Sequence, residues 1–397
     1  MGWVSFLADI SSEMAYPLIP AFVVGILGAS GSTLGWIEGS AAFVVAAMTC
    51  FTGVWSDRLG RRVPFVRIGY GLPILGRALL ATAMSWPMAM VGRVVDRLGK
   101  GVRSSPRDAL LADMVQIADR GRAFGFHRAM DTAGAILGVS ISAAAMWWFA
   151  AKEPSAATHE TTSAPEWLFR WLFGLAALAG VGSLAVAFAI RDVTPQTRSS
   201  AKANIDLHYI RQLSGDYWRV IFLTCLFSLG NSSDAFLLLR ARSAGLSDFE
   251  VVVAYGVFSV TYALGAYPAG ILSDRIGRWR VVATGWVLYV GVYVSFIFIS
   301  PTGVWPLMAV YGLYMAMTEG VGKALVVDKA PTHLRGTAIG VYYMTTGVCT
   351  LVASALAGVA WDLHGPGATF GIGAGFACIA IIVLIAMRKS VAAPSHA

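Results

Sequence analysis

Residues 368–387, ATFGIGAGFACIAIIVLIAM, contain no aspartate, glutamate, lysine or arginine. At 1.5 Å per residue such a run makes a helix of about 30 Å, the thickness of the hydrocarbon layer. Stretches of this kind recur along the whole chain. Read with that ruler, its 397 residues divide into helices near 3–27, 33–55, 64–84, 87–111, 122–150, 167–190, 217–239, 249–272, 279–299, 304–327, 335–361 and 368–387. Charged residues make up only 13% of the chain, against about 25% in a soluble domain. The expected fold class is therefore an all-α polytopic membrane protein with twelve transmembrane helices.

Cations alternate along the connections. Arg58, Arg61 and Arg62, then Arg120 and Arg122, Arg275, Arg278 and Arg280, and Lys329 and Arg335 follow even-numbered spans, with Arg388 and Lys389 at the C-terminus. Loops after odd-numbered spans are nearly free of cations, apart from Lys152. The positive-inside rule then places both termini in the cytoplasm and the chain in the cytoplasmic membrane. It also accounts for the net charge of +8 without nucleic acid, since no separate basic domain exists. Cys50, Cys225, Cys349 and Cys378 stand alone in apolar runs, with no metal or redox spacing.

A polar segment, 191–216, divides six spans from six and reads as a cytoplasmic hinge between an N-terminal bundle (1–190) and a C-terminal bundle (217–397). The halves repeat. GVWSDRLGRR at 53–62 returns as GILSDRIGRW at 270–279, ALLAD at 109–113 as ALVVD at 324–328, RGRAFG at 120–125 as RGTAIG at 335–340, and SSE at 11–13 as SSD at 232–234. The offsets are 217, 215, 215 and 221. Ordered internal duplication marks many transporter folds, whose binding sites lie between the repeats near mid-membrane.

The repeated decapeptide resembles the loop signature of the major facilitator superfamily, G-x-L-A-D-R-x-G-R-R. Gly53, Asp57, Arg58, Gly60 and Arg61 match it in the first copy, and Gly270, Asp274, Arg275, Gly277 and Arg278 in the second. Trp55, Ser56 and Trp279 depart from it. The resemblance implies two pseudo-symmetric six-helix bundles that rock to give alternating access, with these residues as a gating motif. Arg93, in RVVDRLG, is similar to the arginine of the family's fourth-helix motif. GAILGVSIS at 134–142 partly resembles the fifth-helix glycine motif of drug–proton antiporters, but Val139 stands where that motif has proline. Close packing through small residues explains Gly134 and Gly138 equally well.

The span near 87–111 carries unusual charge. Its GKG is no phosphate loop, because the glycine spacing fails and no strand precedes it. Arg93, Arg97, Lys100 and Arg107 make one helical stripe, with Asp96 and Arg103 on a neighbouring face. Each central charge costs about 2.5–3.5 kcal/mol in a membrane helix, so these side chains face a polar passage or partners. Partners exist: Asp9 and Glu13 on the first span, Glu38 on the second, and His127, Arg128 and Asp131 on the fifth. With Arg77 and Asp108, seven basic groups face six acidic ones, so an anionic substrate does not follow. The second half offers Asp234, Arg240, Arg242, and the i,i+4 pair Glu319–Lys323.

These residues frame three readings. In the first, the chain is a proton-coupled secondary transporter of a small solute, working as a monomer in the lipid bilayer without a cofactor. Protonation of Asp9 or Glu13, released from a basic partner on the fourth span, biases its two access states. A second reading keeps the fold but carries a divalent, iron-type metal on Asp9 and Glu13; His159 and Glu160 are two further isolated ligands. The third is a non-transporting receptor or scaffold. No nucleophile–base pair appears, so an enzyme is not expected.

Overall fold

The computed structural model describes residues 1–116, 119–150, 164–192, 212–331 and 334–387. Lys152, His159, Glu160, residues 193–211 of the hinge, Arg388 and Lys389 lie outside them. Among the described residues there is no strand. The helices are α1 (Gly2–Ala15), α2 (Gly31–Leu59), α3 (Val63–Thr82), α4 (Trp86–Asp113), α5 (Arg120–Ala150), α6 (Glu166–Phe188), α7 (Gly215–Ser228), α8 (Ala235–Ser243), α9 (Asp248–Ile276), α10 (Arg278–Ile297), α11 (Pro301–Asp328), α12 (Arg335–His364) and α13 (Pro366–Ala386). They compose twelve spans in two bundles. Met1 and Ala386 share one face of the molecule, here the near face. The turns at 28–30, 245–247 and 365 define the far face.

Eight of these helices are long and apolar enough to cross a membrane by themselves. The first and seventh spans depart from that pattern for identifiable reasons. The first span is α1 prolonged by a tight turn at Tyr16–Leu18 and a widened, π-type stretch at Ala21–Ile26. Pro17 and Pro20 fall there, and each removes an amide donor from the ladder. The seventh span, expected as one helix, is two. α7 stops at Ser228 and α8 starts at Ala235. The intervening LGNSSD is rich in turn-forming residues. Side chains from neighbouring helices satisfy its exposed backbone. Tyr289 donates to the Gly230 carbonyl at 2.7 Å, and the Ser233 amide donates to Ser354 at 3.1 Å. Irregular backbone is tolerated at membrane depth only where it is compensated in this way.

The halves meet along two seams. α2 runs against α12, where Gly35 lies on the Ser354 carbonyl and Gly358 on the Gly31 carbonyl, so that a Cβ at either position would strike backbone. α5 meets α9 at Val139 and Gly256. Within the first half, Gly134 and Gly138 of α5 lie on the backbone of Phe6 and Ile10, the close approach expected of small residues.

Polar contacts seal the far face. Asp362, at the end of α12, caps the start of α2 in the other half. It accepts from the Gly31 amide (2.8 Å), the Ser32 amide (2.8 Å) and the Ser32 hydroxyl (2.5 Å). Asp248 pairs with Arg242 at 2.9 Å and accepts from the Ala164 amide at 2.9 Å. Arg242 also lies over the bare backbone of Gly25.

On the near face the repeated decapeptide builds the same ionic triad twice. Arg62 joins Asp57 (3.2 Å) and Asp113, and Arg278 joins Asp274 (3.8 Å) and Asp328. The repeat aligns Arg61 with Arg278 and Arg62 with Trp279, so the guanidinium comes from adjacent registers in the two copies. One arginine suffices per half. Trp279 is free to pack instead, edge-on to Trp286 at 6.2 Å. Gly60 ends α2 with a φ of 62°, and Gly277 precedes α10 with a φ of 97°. Gly53 packs on Ser105, whereas its counterpart Gly270 has no neighbour within 4 Å of a Cβ position.

Candidate functional site between the halves

Two layers of charge occupy the interior, and they differ in kind. The upper layer is dry. Arg93 holds Glu38 through two bonds, Nε at 2.6 Å and Nη2 at 2.8 Å. Asp96 takes Arg77 at 2.9 Å, Arg97 at 3.4 Å and Arg93 at 3.6 Å. Glu38, Arg77, Arg93 and Asp96 are all below 5% exposed. Arg77 donates to the Ser11 hydroxyl, which donates in turn to the Ala176 carbonyl. Three guanidiniums against two carboxylates form a network that knits α1, α2, α3 and α4 together.

This arrangement corrects the helical stripe drawn from sequence. Arg93, Asp96 and Arg103 turn inward to α2 and α3, while Lys100 is exposed and Arg97 and Arg107 are half-buried. The stripe assumed an isolated helix. In the folded bundle, Gly69 receives Arg103 at its carbonyl (3.2 Å), and Gly76 lets α3 approach the backbone at Asp96. Arg107 pairs with its neighbour Asp108 at 2.9 Å.

The lower layer is polar and more open. Lys100, well inside α4, is exposed, yet it sits among the charges of Arg97, Glu13, Asp9 and Arg103. A lysine both exposed and ringed by ionic groups lies on an accessible polar surface. Asp9 faces Asp131, Lys100, Arg103 and Glu13 electrostatically. His127 stands between Ser5 (Nε2 to Oγ, 2.8 Å) and Asp131 (Nδ1 to Oδ2, 3.4 Å), and the second Asp131 oxygen has no hydrogen-bond partner among the described residues. Ser5 continues to Tyr70 at 3.2 Å.

The halves touch through tyrosines. Tyr255 of α9 donates to Glu13 at 2.7 Å. Its ring lies 5.3 Å from that of Tyr16, over which Arg93 stacks at 5.0 Å and Arg97 at 5.7 Å. Tyr262 accepts from Arg128 of α5 at 2.6 Å and donates to Glu319 of α11 at 2.6 Å, and Lys323 completes the chain at 3.0 Å. Glu319 and Lys323 thus neutralise each other, as their i,i+4 order allows, but they also form part of a bridge between bundles. At the break of the seventh span, Asp234 accepts from Tyr311 at 2.6 Å, and Ser233 reaches Glu38 at 3.4 Å. Arg240 donates to the carbonyls of Phe296 and Ile297 at the far face, away from this site.

Sequence reading missed the tyrosines and the break. Both carried a signal: GNSSD is a turn pattern, and Tyr255 and Tyr262 lie seven apart on one helix face. The structure also brings Cys225 and Cys349 within hydrogen-bond reach of each other, a pairing their separation in the chain concealed. Among the described residues no three histidine, cysteine, aspartate or glutamate side chains converge as a metal site.

Comparison with known proteins identifies the lineage. The family model of the Major Facilitator Superfamily matches residues 1–353 and 220–396, and the chain belongs to that superfamily. An uncharacterized MFS-type transporter of Methanocaldococcus jannaschii is 30% identical over 392 residues, covering 97% of this chain and 93% of that protein. The quinolone resistance protein NorA of Staphylococcus aureus is 20% identical over 372 residues, covering 90% of this chain and 88% of NorA. Among solved structures, the nucleoside transporter NupG superposes with a TM-score of 0.78 at 13% identity, covering 98% of each chain. A D-xylose–proton symporter gives 0.71 at 14%, covering 96% of each.

Proposed function

We propose that this protein is a proton-coupled secondary transporter that moves a small solute by alternating access, with its near face and both termini in the cytoplasm. The near-face cations Arg58, Arg61, Arg62, Arg275 and Arg278 support that orientation. On this reading residues 1–190 and 217–397 rock as units about the 191–216 hinge, and the described state is closed at the far face. Helices α1, α4 and α5 of the first half and α9 and α11 of the second line the passage. The protein works as a monomer without a cofactor.

The observation that carries the reading is the Glu13–Tyr255 bond. It joins a carboxylate of one half to a hydroxyl of the other, so the partner Glu13 meets differs according to whether the halves are together. A proton biases a conformational equilibrium only through a difference in affinity between its states. Lys100, close to both Asp9 and Glu13, supplies the basic partner. Ion coupling through a divalent metal gains no support from the geometry, since no third ligand joins those two carboxylates among the described residues.

The test uses proteoliposomes loaded with a pH-sensitive dye and challenged with a panel of nucleosides, sugars and cationic drugs. At least one solute should move protons with it. Glu13→Gln should abolish accumulation driven by a pH gradient while leaving solute exchange at equal concentrations. Gradient-driven accumulation that survives in both Glu13→Gln and Asp9→Asn would remove the coupling mechanism.

A further inference from the structure

The interior charges of the two halves do not balance separately. In the first half seven basic groups against six acidic ones leave one positive charge in excess. In the second, Asp234 and Glu319 against Lys323 leave one negative. The pairing geometry shows where each excess falls.

The positive excess falls on Arg97. Asp96 serves three guanidiniums, and Arg97 holds it only at 3.4 Å, behind Arg77 at 2.9 Å. The Arg97 Nε is buried and has no hydrogen-bond partner among the described residues. The negative excess falls on Asp234. No ion pair among the described residues includes it, and the charges that act on it most strongly are the carboxylates of Glu38, Glu319 and Glu13. Asp234 stands at the N-cap position of α8 without capping that helix through its side chain, which turns instead to Tyr311. Asn231, in the same break, holds a buried amide oxygen that also lacks a partner among the described residues.

These two charges lie at similar depth on opposite halves, with Tyr16 beside both. Arg97 is 11 residues from the far end of α4 and Asp234 is 9 from the far end of α8, about 16 Å and 14 Å. Arg97 stacks over the Tyr16 ring at 5.7 Å, and of all charged groups Asp234 acts on Tyr16 most strongly. Tyr16, Arg97 and Asp234 all keep accessible surface. Rings lead from one to the other: Tyr16 to Tyr255 at 5.3 Å, Tyr255 to Phe258 at 5.4 Å, and Phe258 to Tyr311 at 5.5 Å.

We infer that this region receives a small aromatic zwitterion, an aryl α-amino acid, as the cargo of the transport reading on which the inference rests. The carboxylate of the solute meets Arg97, its ammonium meets Asp234 and the Asn231 oxygen, and its ring lies along the tyrosines. One solute then compensates both excess charges through charge-assisted hydrogen bonds. A cation would leave Arg97 unserved, and an anion would leave Asp234 so. Because Arg97 belongs to one half and Asp234 to the other, the solute also bridges the halves.

Calorimetric titration of the detergent-purified protein at neutral pH, with no gradient present, tests this with three probes that share one ring: phenylalanine, phenethylamine and 3-phenylpropanoate. Phenylalanine should bind at least about tenfold more tightly than either of the others, each of which lacks one charged contact. Arg97→Gln should remove its advantage over phenethylamine, and Asp234→Asn its advantage over 3-phenylpropanoate. The proposal is overturned if wild-type protein does not bind phenylalanine or binds a singly charged probe as tightly, and equally if either variant retains the advantage it should lose. Should a variant not fold, the order of the three affinities in the wild type decides alone. A failure of proton coupling leaves these affinities in place, so the two readings fail separately.

Discussion

Arg93 shows how a charge within a membrane helix acquires a structural role. Its two bonds to Glu38 and its contact with Asp96 take it almost wholly out of solvent, and the pair spans α2 and α4. Removing one partner leaves the other buried and uncompensated. Arg93→Met should therefore cost about 3–5 kcal/mol, by analogy with broken buried ion pairs in soluble proteins. The double variant Glu38→Leu with Arg93→Met should recover most of that loss, because an apolar pair needs no desolvation. Thermal unfolding of the three proteins in one detergent checks this. If the double variant melts no higher than the single one, the network contributes more than mutual neutralisation. The need for buried partners at Arg93 was legible in the sequence, since lipid cannot solvate a guanidinium. Its choice of Glu38 was not, because that depends on how α2 and α4 dock.

At the scale of elements, the long uniform spans were readable from hydropathy alone, while the interrupted ones were not. α5, α6, α9 and α13 follow the expected boundaries to within a few residues, as their apolar length alone requires. The first and seventh spans depart because proline spacing and tertiary tyrosines decide where backbone can leave the helix. The far-face cap belongs to this scale too. Asp362 adds a second cap to α2, beside its own Ser30, from another helix 331 positions along the chain. Capping side chains are worth about 0.5–2 kcal/mol against alanine, so Asp362→Ala should raise the population open at the far face by a factor of about 2–30. Spin labels at Thr33 and Leu363 would report this as a growing long-distance component. An unchanged distance distribution would show that the α2–α12 packing alone holds the far face shut.

The two triads test the duplication at the scale of the whole molecule. Repeat alignment pairs Arg62 with Trp279, yet one is an ionic hub and the other a packed ring. Arg62→Ala should lower stability by about 1 kcal/mol, and the loss should shrink as salt is raised across roughly 0.05–0.5 M. Trp279→Ala should cost about 2 kcal/mol, independent of salt, because it removes a half-buried ring packed on Trp286. Melting curves at several ionic strengths separate the two, and a shared salt dependence would refute the assigned roles. The sequence disclosed that the halves correspond. It did not disclose that Arg278 takes over at the position of Arg61, since either register satisfies the same pair of aspartates.

The divided seventh span has a consequence for how the chain is made. α7 has 14 residues and α8 has 9, about 21 Å and 14 Å of helix, so neither crosses 30 Å of hydrocarbon alone. During synthesis this segment reaches the insertion machinery before α10 and α12 exist to receive its loose backbone through Tyr289 and Ser354. Its stable lodging in the bilayer must await later helices, and a nascent chain arrested near residue 250 should hold residues 215–243 less securely than one arrested after residue 364.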